Sequence, residues 1–180
     1  MALTATLYSA RIDLADQNRN LYQRLSLKIA LHPSEQPERL AARLLAYCLY
    51  AEDNLQFGKG LSSDDADIWS QDDTGTLDQW IDVGEPDPIR IKKASRQAQR
   101  VTVLAYTRSQ QTWWQKQAQA FSGFENTEVI SVPWEAMVAL AENLPRQIHW
   151  QVSITDDTVY ISLDDRQETL QVKPLKSRGA

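Results

Sequence analysis

Residues 77–106, LDQWIDVGEPDPIRIKKASRQAQRVTVLAY, predict a strand, a helix and a second strand in succession. The segment 77–83 alternates between apolar and polar residues, as a strand with one buried face does. Asp87 followed by Pro88 is typical of a helix start, because Asp caps free backbone N–H groups and Pro fits the first turn. The apolar, β-branched run 101–106 indicates a buried strand. This strand–helix–strand unit predicts a parallel or mixed sheet that is flanked by helices.

Two β-hairpins are expected on the N-terminal side of this unit. Residues 3–14 and 21–29 alternate in polarity on either side of the polar cluster 16–20. The segments 67–69 and 77–83 flank a turn signal, Asp72-Asp73-Thr74-Gly75. Between the hairpins we expect a helix that runs to about Ala51, with Ser34 as the N-cap candidate, and then a short strand at 55–57.

The C-terminal side predicts further alternation of helices and strands. The expected elements are a helix around 110–121, a strand at 128–132, a helix at 134–143 and antiparallel strands at 147–154, 159–163 and 169–172. The fold class predicted from the whole pattern is α/β, or α+β.

Length and composition set limits on the class of protein. The chain has 180 residues, of which 42% are hydrophobic and 24% are charged, so we expect one domain over residues 1–180. Its one cysteine, Cys48, lies in an apolar run and is expected to be a buried thiol. A disulfide framework, a signal peptide and an apolar run of about 18 residues are not recognised, so the expected location is the cytoplasm and not a membrane.

The charged residues are distributed unevenly. The net charge of −5 argues against a protein that coats nucleic acid through its overall charge, although it leaves room for a local basic patch. Nine acids and no base lie between Lys59 and Arg90, whereas Arg90 to Arg100 contains five bases and no acid. The acidic passage from Asp64 to Asp82, with the basic helix that follows it, is therefore the best candidate for chemistry.

Strand geometry indicates which of these acids can share a metal ion. Asp78 and Asp82 lie on one face of the same strand, but four residues separate their Cα atoms by roughly 13 Å. If the hairpin folds about Asp73-Thr74, residues whose numbers sum to 147 face each other, and Asp67 lies diagonal to Asp82 at about 7–8 Å. A register shift of two residues would place Asp67 directly across from Asp82. Asp67 and Asp82 are therefore the predicted metal ligands.

The basic helix offers cations close to these acids. Its predicted bases are Lys92, Lys93, Arg96 and Arg100, and its N-terminus presents unpaired N–H groups to an anion. A metal-bound water that attacks a phosphodiester needs acids for the ion and a cation for the phosphate or the nucleophile. The structural alternative is that the acids are solvated hairpin residues and that the lysines lie on an exposed helix face.

Two segments together resemble a known family, YaeQ. They are LDQWIDVGEP at 77–86 with IKKA at 91–94, and the earlier HPSE at 32–35 with Glu38-Arg39. The resemblance extends over nearly the whole chain. The family is similar to a variant of the PD-(D/E)XK nuclease fold, which implies a central mixed sheet between helices and a nuclease-like core at approximately 34–132.

The resemblance also implies a set of site residues. Ala66-Asp67 matches the position of the Pro-Asp pair, and Asp82-Val83-Gly84 matches the (D/E)XK position, so that glycine replaces the motif lysine. A lysine of the following helix, Lys93 or Lys92, would substitute for it. Glu38 matches an additional acid of the first long helix, and Gln97 would line the same cleft.

Three functions follow as hypotheses. The first is a nuclease that cleaves nucleic acid phosphodiesters with Mg²⁺ or Mn²⁺; Asp67 and Asp82 would hold the ion, Glu38 would assist, and Lys93 would orient water or phosphate. Lys92 and Arg96 would contact the nucleic acid. The second is a nuclease-like fold without catalysis that serves as a binding or regulatory module, with the transcription machinery as a candidate partner. The third is a structural partner in a protein complex.

Overall fold

The computed structural model describes residues 3–59 and 64–179. These residues form two compact units. The first unit contains the chain up to Tyr50 together with Glu135–Val172, and the second contains Ala51–Trp134 together with the chain from Lys173. The single domain over 1–180 stays a prediction.

The described part of the chain contains four helices and eleven strands. The helices are α1 Pro37–Leu49, α2 Pro88–Gln97, α3 Gln110–Phe121 and α4 Trp134–Ala141. None of them is long and apolar enough to cross a membrane. The strands are β1 Thr6–Asp16, β2 Leu21–Leu31, β3 Gln56–Phe57, β4 Ile68–Gln71, β5 Leu77–Val83, β6 Ala98–Ala105, β7 Thr127–Ser131, β8 Gln147–Thr155, β9 Thr158–Ser162, β10 Gln167–Gln171 and β11 Lys173–Lys176.

The first unit contains a five-stranded mixed sheet in the order β10-β9-β8-β1-β2. The predicted hairpin β1–β2 is confirmed, with Thr6 opposite Leu31 and Asp16 opposite Leu21. The predicted C-terminal strands β8, β9 and β10 pair antiparallel with one another, while β8 also pairs parallel with β1. The N-terminal hairpin and the C-terminal strands, which the sequence pattern treats as separate extensions, therefore form one sheet.

One face of this sheet is buried and the other faces solvent. Residues of β1 and β8 alternate between buried and exposed positions along both strands. The buried face includes Ile12, Leu14, Trp150 and Val152, each at most 3% exposed. Burial of such side chains stabilises the sheet by about 1.5–3 kcal/mol for each large aliphatic residue.

The second unit contains a six-stranded mixed sheet in the order β11-β7-β6-β5-β4-β3. Strands β3, β4 and β5 are antiparallel neighbours, whereas β5, β6 and β7 are parallel and are connected through α2 and α3. The predicted strand–helix–strand unit is thus confirmed. Its core contains residues of β5, α2, β6, α3 and β7, among them Trp80, Ile91, Val103, Phe121 and Val129.

Several element boundaries differ from the prediction, and two of the differences have a local reason. Helix α1 begins at Pro37 with Gln36 as the N-cap, not at Ser34, because the Ser34 hydroxyl lies 2.7 Å from His32 Nδ1 and does not cap the helix. Strand β6 begins at Ala98, three residues earlier than predicted, because it follows α2 without a loop. The edge strand β11 was not predicted; it contains a proline, which lacks the backbone donor that a central strand needs.

Candidate functional site

The hairpin β4–β5 places Asp67 directly opposite Asp82. Ile68 faces Ile81 and Trp69 faces Trp80, so facing residues sum to 149. Continuing this register by one residue would pair Asp67, which precedes β4, with Asp82. The Asp67 N–H group donates to Asp82 Oδ1 at 3.3 Å, and Asp67 Oδ2 accepts from the Val83 N–H group at 2.8 Å.

The register that sums to 147 is wrong by two residues, and the turn explains the error. The Asp72 N–H group donates to the Thr76 carbonyl, so the turn closes one residue further along the chain than predicted. Gln71 then faces Leu77, and a bulge between Ser70 and Gln71 adds the second residue of the shift. The predicted turn at 72–75 is present, and the Asp72 carboxylate accepts hydrogen bonds from Thr74 and Thr76 within it.

Asp82 forms a two-point ion pair with Arg90, the third residue of α2. The Arg90 Nε–H group donates to Asp82 Oδ2 at 2.7 Å, and its Nη2–H group donates to Asp82 Oδ1 at 3.1 Å. Arg90 Nη2 also donates to the Asp65 carbonyl at 2.7 Å, and the guanidinium lies 5.4 Å from the Trp80 ring centroid. The hydrogen bond to Asp82 raises the Arg90 pKa, so the guanidinium stays charged.

This ion pair bears directly on the predicted Mg²⁺ site. Mg²⁺ needs free carboxylate oxygens at about 2.0–2.1 Å, but both Asp82 oxygens accept hydrogen bonds from Arg90. The Asp82 side chain is 2% exposed, so little room for a further ligand remains around it. Within residues 3–59 and 64–179, no three His, Cys, Asp or Glu side chains form a group that could hold a metal ion. In this arrangement a guanidinium binds both oxygens of Asp82, and the metal site stays a prediction.

Gly84, which matches the position of the motif lysine, has a backbone that disfavours lysine. Its φ is +104°, and its N–H group donates to the Leu104 carbonyl at 2.9 Å. A Cβ atom added there would lie 3.8 Å from the Tyr106 ring, which is an ordinary contact. The backbone conformation, and not a lack of space, therefore favours glycine at this position.

The predicted basic residues of α2 lie on its solvent-facing side. Lys92, Lys93, Arg96 and Gln97 are exposed, whereas Ile91 and Ala94 are buried. Within the described ranges, the three cationic side chains form no hydrogen bond or ion pair with protein atoms. They are therefore accessible to an external anion, while their proposed roles stay predictions.

Glu38 belongs to α1 in the first unit, whereas Asp67 and Asp82 belong to the second. The Glu38 side chain is half-buried, and its Oε2 atom is buried without a hydrogen-bond partner in the described part of the chain. Its role as a third metal ligand stays a prediction.

The neighbouring motif at 32–39 forms a structural network. Glu35, which is 8% exposed, forms ion pairs with Arg39 at 3.0 Å and with Arg43 at 3.3 Å, and accepts from the His32 N–H group. Arg43 is 3% exposed and also donates to the Ala30 carbonyl at 2.6 Å. This network connects the end of β2 to α1.

A second charged cluster in the second unit was not anticipated. Arg100 Nη2 lies 2.7 Å from Asp78 Oδ2 and 3.1 Å from Glu52 Oε2, and the Ser70 hydroxyl donates to Glu52 Oε1. Arg100 belongs to β6 and not to the preceding helix. Two acids of the acidic passage are thus neutralised by bases of the following basic segment, because Asp82 binds Arg90 and Asp78 binds Arg100.

Comparisons with known proteins agree over nearly the full length. The chain is 38% identical to the YaeQ protein of Salmonella typhi over 96% of both chains, and 39% identical to that of Escherichia coli K12 over 91% of this chain and 92% of the other. The crystal structure of YaeQ from Xanthomonas axonopodis pv. citri superposes with a TM-score of 0.93 at 39% identity, covering 97% of this chain and 99% of the other. YaeQ from Pseudomonas syringae gives a TM-score of 0.92 at 34% identity, with 98% of each chain covered. The mixed α+β fold with two mixed sheets matches these structures. The family model for YaeQ protein matches residues 1–174, and the chain therefore belongs to the YaeQ family.

Proposed function

We propose that this chain is a nucleic-acid-binding module that is built on a nuclease-like core and does not cleave its ligand. The observation that carries this proposal is the two-point ion pair between Arg90 and Asp82. A metal-dependent nuclease needs its carboxylates for the ion, and here one of them is neutralised by a guanidinium. The φ of +104° at Gly84 adds support, because it disfavours the motif lysine at that position.

The fold supports the nuclease-like part of the proposal. The six-stranded sheet is mixed, and its parallel strands β5, β6 and β7 are connected through helices. Two acids that match motif positions, Asp67 and Asp82, face each other on the hairpin of this sheet. A PD-(D/E)XK-like core at approximately 34–132 would account for both features.

The solvent-facing side of α2 is the proposed nucleic acid interface. Lys92, Lys93 and Arg96 are exposed there, and Ile89 near the start of the helix is 79% exposed. Cations without protein partners bind phosphates and release counterions, so each of them contributes to the salt dependence of binding. A regulatory role close to the transcription machinery would use this binding without cleavage.

The test measures binding and cleavage on the same substrates. Purified protein is mixed with duplex DNA, branched DNA, single-stranded DNA and RNA, with Mg²⁺ and then with Mn²⁺. We expect binding at low salt and no cleavage. Replacing Lys92, Lys93 and Arg96 by Gln should reduce the slope of log affinity against log salt by about 0.9 for each duplex phosphate that is no longer neutralised. Cleavage by the wild type that disappears in Asp82→Asn would overturn the proposal.

A second candidate is a Mg²⁺- or Mn²⁺-dependent nuclease, which the position of Asp67 opposite Asp82 favours. In this candidate Asp67 and Asp82 would hold the ion, Glu38 would assist, and Lys93 would orient water or phosphate. Arg90 would first have to leave Asp82. Cleavage by Arg90→Gln that is lost in Arg90→Gln combined with Lys93→Met would favour this candidate, since an orienting group typically contributes about 10²–10⁴-fold in rate.

A further inference from the structure

The solvent-facing side of the first unit's sheet carries cations in adjacent rows. Lys28 pairs with Ser9 across β2 and β1, and Ser9 pairs with Gln147 of β8. In the next row, Arg11 lies between Ser26 of β2 and His149 of β8. Neighbouring strands are about 4.8 Å apart and successive rows about 7 Å apart, so Lys28, Arg11 and His149 form one group.

Two clefts meet at this group. One has a volume of about 280 Å³ and lies over residues 9–11, 26–28 and 147–149. The other has a volume of about 450 Å³ and extends past Asp13, Arg24 and Gln151 to Ser162 and Asp164 at the end of β9. Arg11 and His149 line both clefts, so the two clefts adjoin, and together they are called the trough. An extended, open trough suits a chain-like ligand.

Two cations of the trough, Arg11 and Lys28, have no acidic partner in the described part of the chain. The side chains of Arg11, Lys28 and His149 form no hydrogen bond or ion pair with residues 3–59 and 64–179. Arg24, by contrast, forms an ion pair with Asp13 at 2.7 Å. The Asp13 carboxylate is therefore neutralised by Arg24 and does not offset the charges of Arg11 and Lys28. The remaining acid of the trough, Asp164, lies at its far end. The neighbouring serine and glutamine side chains offer hydrogen bonds without charge, so an anion complements the middle of the trough.

Two exposed tyrosines lie further along the same face. Tyr22, Ala15, Ser153 and Tyr160 form one row across β2, β1, β8 and β9. Tyr22 is 61% exposed and Tyr160 is 40% exposed. Four residues along β1 separate this row from that of Arg11, a distance of roughly 13 Å. Exposed aromatic rings beside a basic trough form the combination that binds phosphates and stacks bases in single-strand-binding proteins.

We propose that this face of the sheet, over β2, β1, β8 and β9, binds single-stranded nucleic acid. Arg11 and Lys28 contact phosphates, His149 donates a hydrogen bond to the backbone, and Tyr160 and Tyr22 stack on bases. A duplex fits less well, because its bases are already stacked on each other and offer no free face to tyrosine. The inference rests on the proposed function in one respect, which is that the ligand is a nucleic acid. The binding surface is a different one, because it lies on the sheet of the first unit and not on α2.

The test compares matched variants in fluorescence anisotropy titrations with a mixed-sequence single strand, as RNA and as DNA, and with the corresponding duplex. Arg11→Gln with Lys28→Gln should weaken single-strand binding on the order of ten-fold and reduce the salt slope by about 1.4, for two phosphate contacts. Tyr160→Ala should weaken binding about five-fold or more without changing the slope. Lys116→Gln with Lys173→Gln removes the same charge from the second unit and should bind like the wild type. Circular dichroism verifies that each variant is folded.

The outcomes separate the sheet face from α2. If Arg11→Gln with Lys28→Gln binds like the Lys116 and Lys173 control, or if the wild type binds duplex alone, the sheet inference is overturned. If the α2 variant loses single-strand binding while the sheet variant keeps it, the inference also fails but the proposed function stands. If the sheet variant loses binding while the α2 variant keeps it, the inference is supported and the α2 interface fails.

Discussion

The guanidinium of Arg90 binds both carboxylate oxygens of Asp82, at 2.7 Å and 3.1 Å, across the segment that connects β5 to α2. Asp82 is 2% exposed, so its charge needs a partner within the protein. The same guanidinium donates to the Asp65 carbonyl and lies over Trp80. One arginine thus connects the start of α2 to strand β5 and to the segment that precedes β4.

Removal of this arginine should destabilise the second unit. Arg90→Gln leaves the buried Asp82 carboxylate without its cation, and we expect the free energy of unfolding to fall by about 2 kcal/mol, as measured by urea denaturation. Arg96→Gln, on the exposed side of the same helix, should stay within about 0.5 kcal/mol of wild type. Adding Asp82→Asn to Arg90→Gln should recover part of the loss. Equal stability of the two single variants would show that the ion pair contributes nothing.

The network around Glu35 should be more important for stability than the predicted metal ligand three residues later. Glu35→Ala leaves Arg43 buried without its carboxylate, which should lower the free energy of unfolding by about 3 kcal/mol in a chemical denaturation experiment. Glu38→Gln is the matched control, because the buried Oε2 atom of Glu38 accepts no hydrogen bond within the described residues. A larger loss in the Glu38 variant than in the Glu35 variant would contradict this ranking.

Gly84 should tolerate substitution poorly in spite of the space around it. Gly84→Ala forces a side chain into the left-handed region, at a cost of about 1 kcal/mol in thermal or chemical unfolding. Gly123→Ala provides the control, since Gly123 does not have a positive φ and no atom lies within 4 Å of an added Cβ. If both alanine variants prove equally stable, the backbone argument against a lysine at this position is wrong.

The buried thiol of Cys48 should be unreactive in the folded protein. Burial raises the pKa of Cys48 from 9.0 to about 12, so the thiolate that reacts with disulfide reagents is nearly absent at pH 8. The thiol should react only after denaturation. In the unfolded chain the thiol ionises near pH 9, so its contribution to stability is present below that pH and is lost as pH rises toward about 12. Cys48→Ala should reduce this alkaline loss, and rapid labelling of the native protein at pH 8 would contradict the prediction.

Elements that depend on local signals could be predicted from the sequence. Helix α2 begins where Asp87 and Pro88 indicate, because the Asp87 carboxylate accepts from the Ile89 N–H group. Helix α3 and the hairpin β1–β2 follow equally local patterns of polarity. The parallel pairing of β1 with β8 had no local signal, because Ser9 and Gln147 are far apart in the chain.

The candidate site was predicted only in part. The convergence of Asp67 and Asp82 follows from alternation along two strands, but the bulge at Ser70 and Gln71, which sets the register, has no distinctive sequence pattern. The sequence shows Arg90 among the bases of α2 but indicates no specific role for it. Its position within the first helical turn after an acidic strand was the available signal, since a long side chain there can reach back to the strand.

The most direct test of the account measures Mn²⁺ binding by isothermal titration calorimetry and by the shift in melting temperature. If the Arg90 guanidinium occupies the position that a metal ion would take beside Asp82, Mn²⁺ should not change the melting temperature of the wild type. The Arg90→Gln variant should instead gain thermal stability that grows with Mn²⁺ concentration. Asp82→Asn added to Arg90→Gln should abolish that gain. A wild-type protein that binds Mn²⁺ as tightly as Arg90→Gln, and loses the binding in Asp67→Asn with Asp82→Asn, would contradict the account.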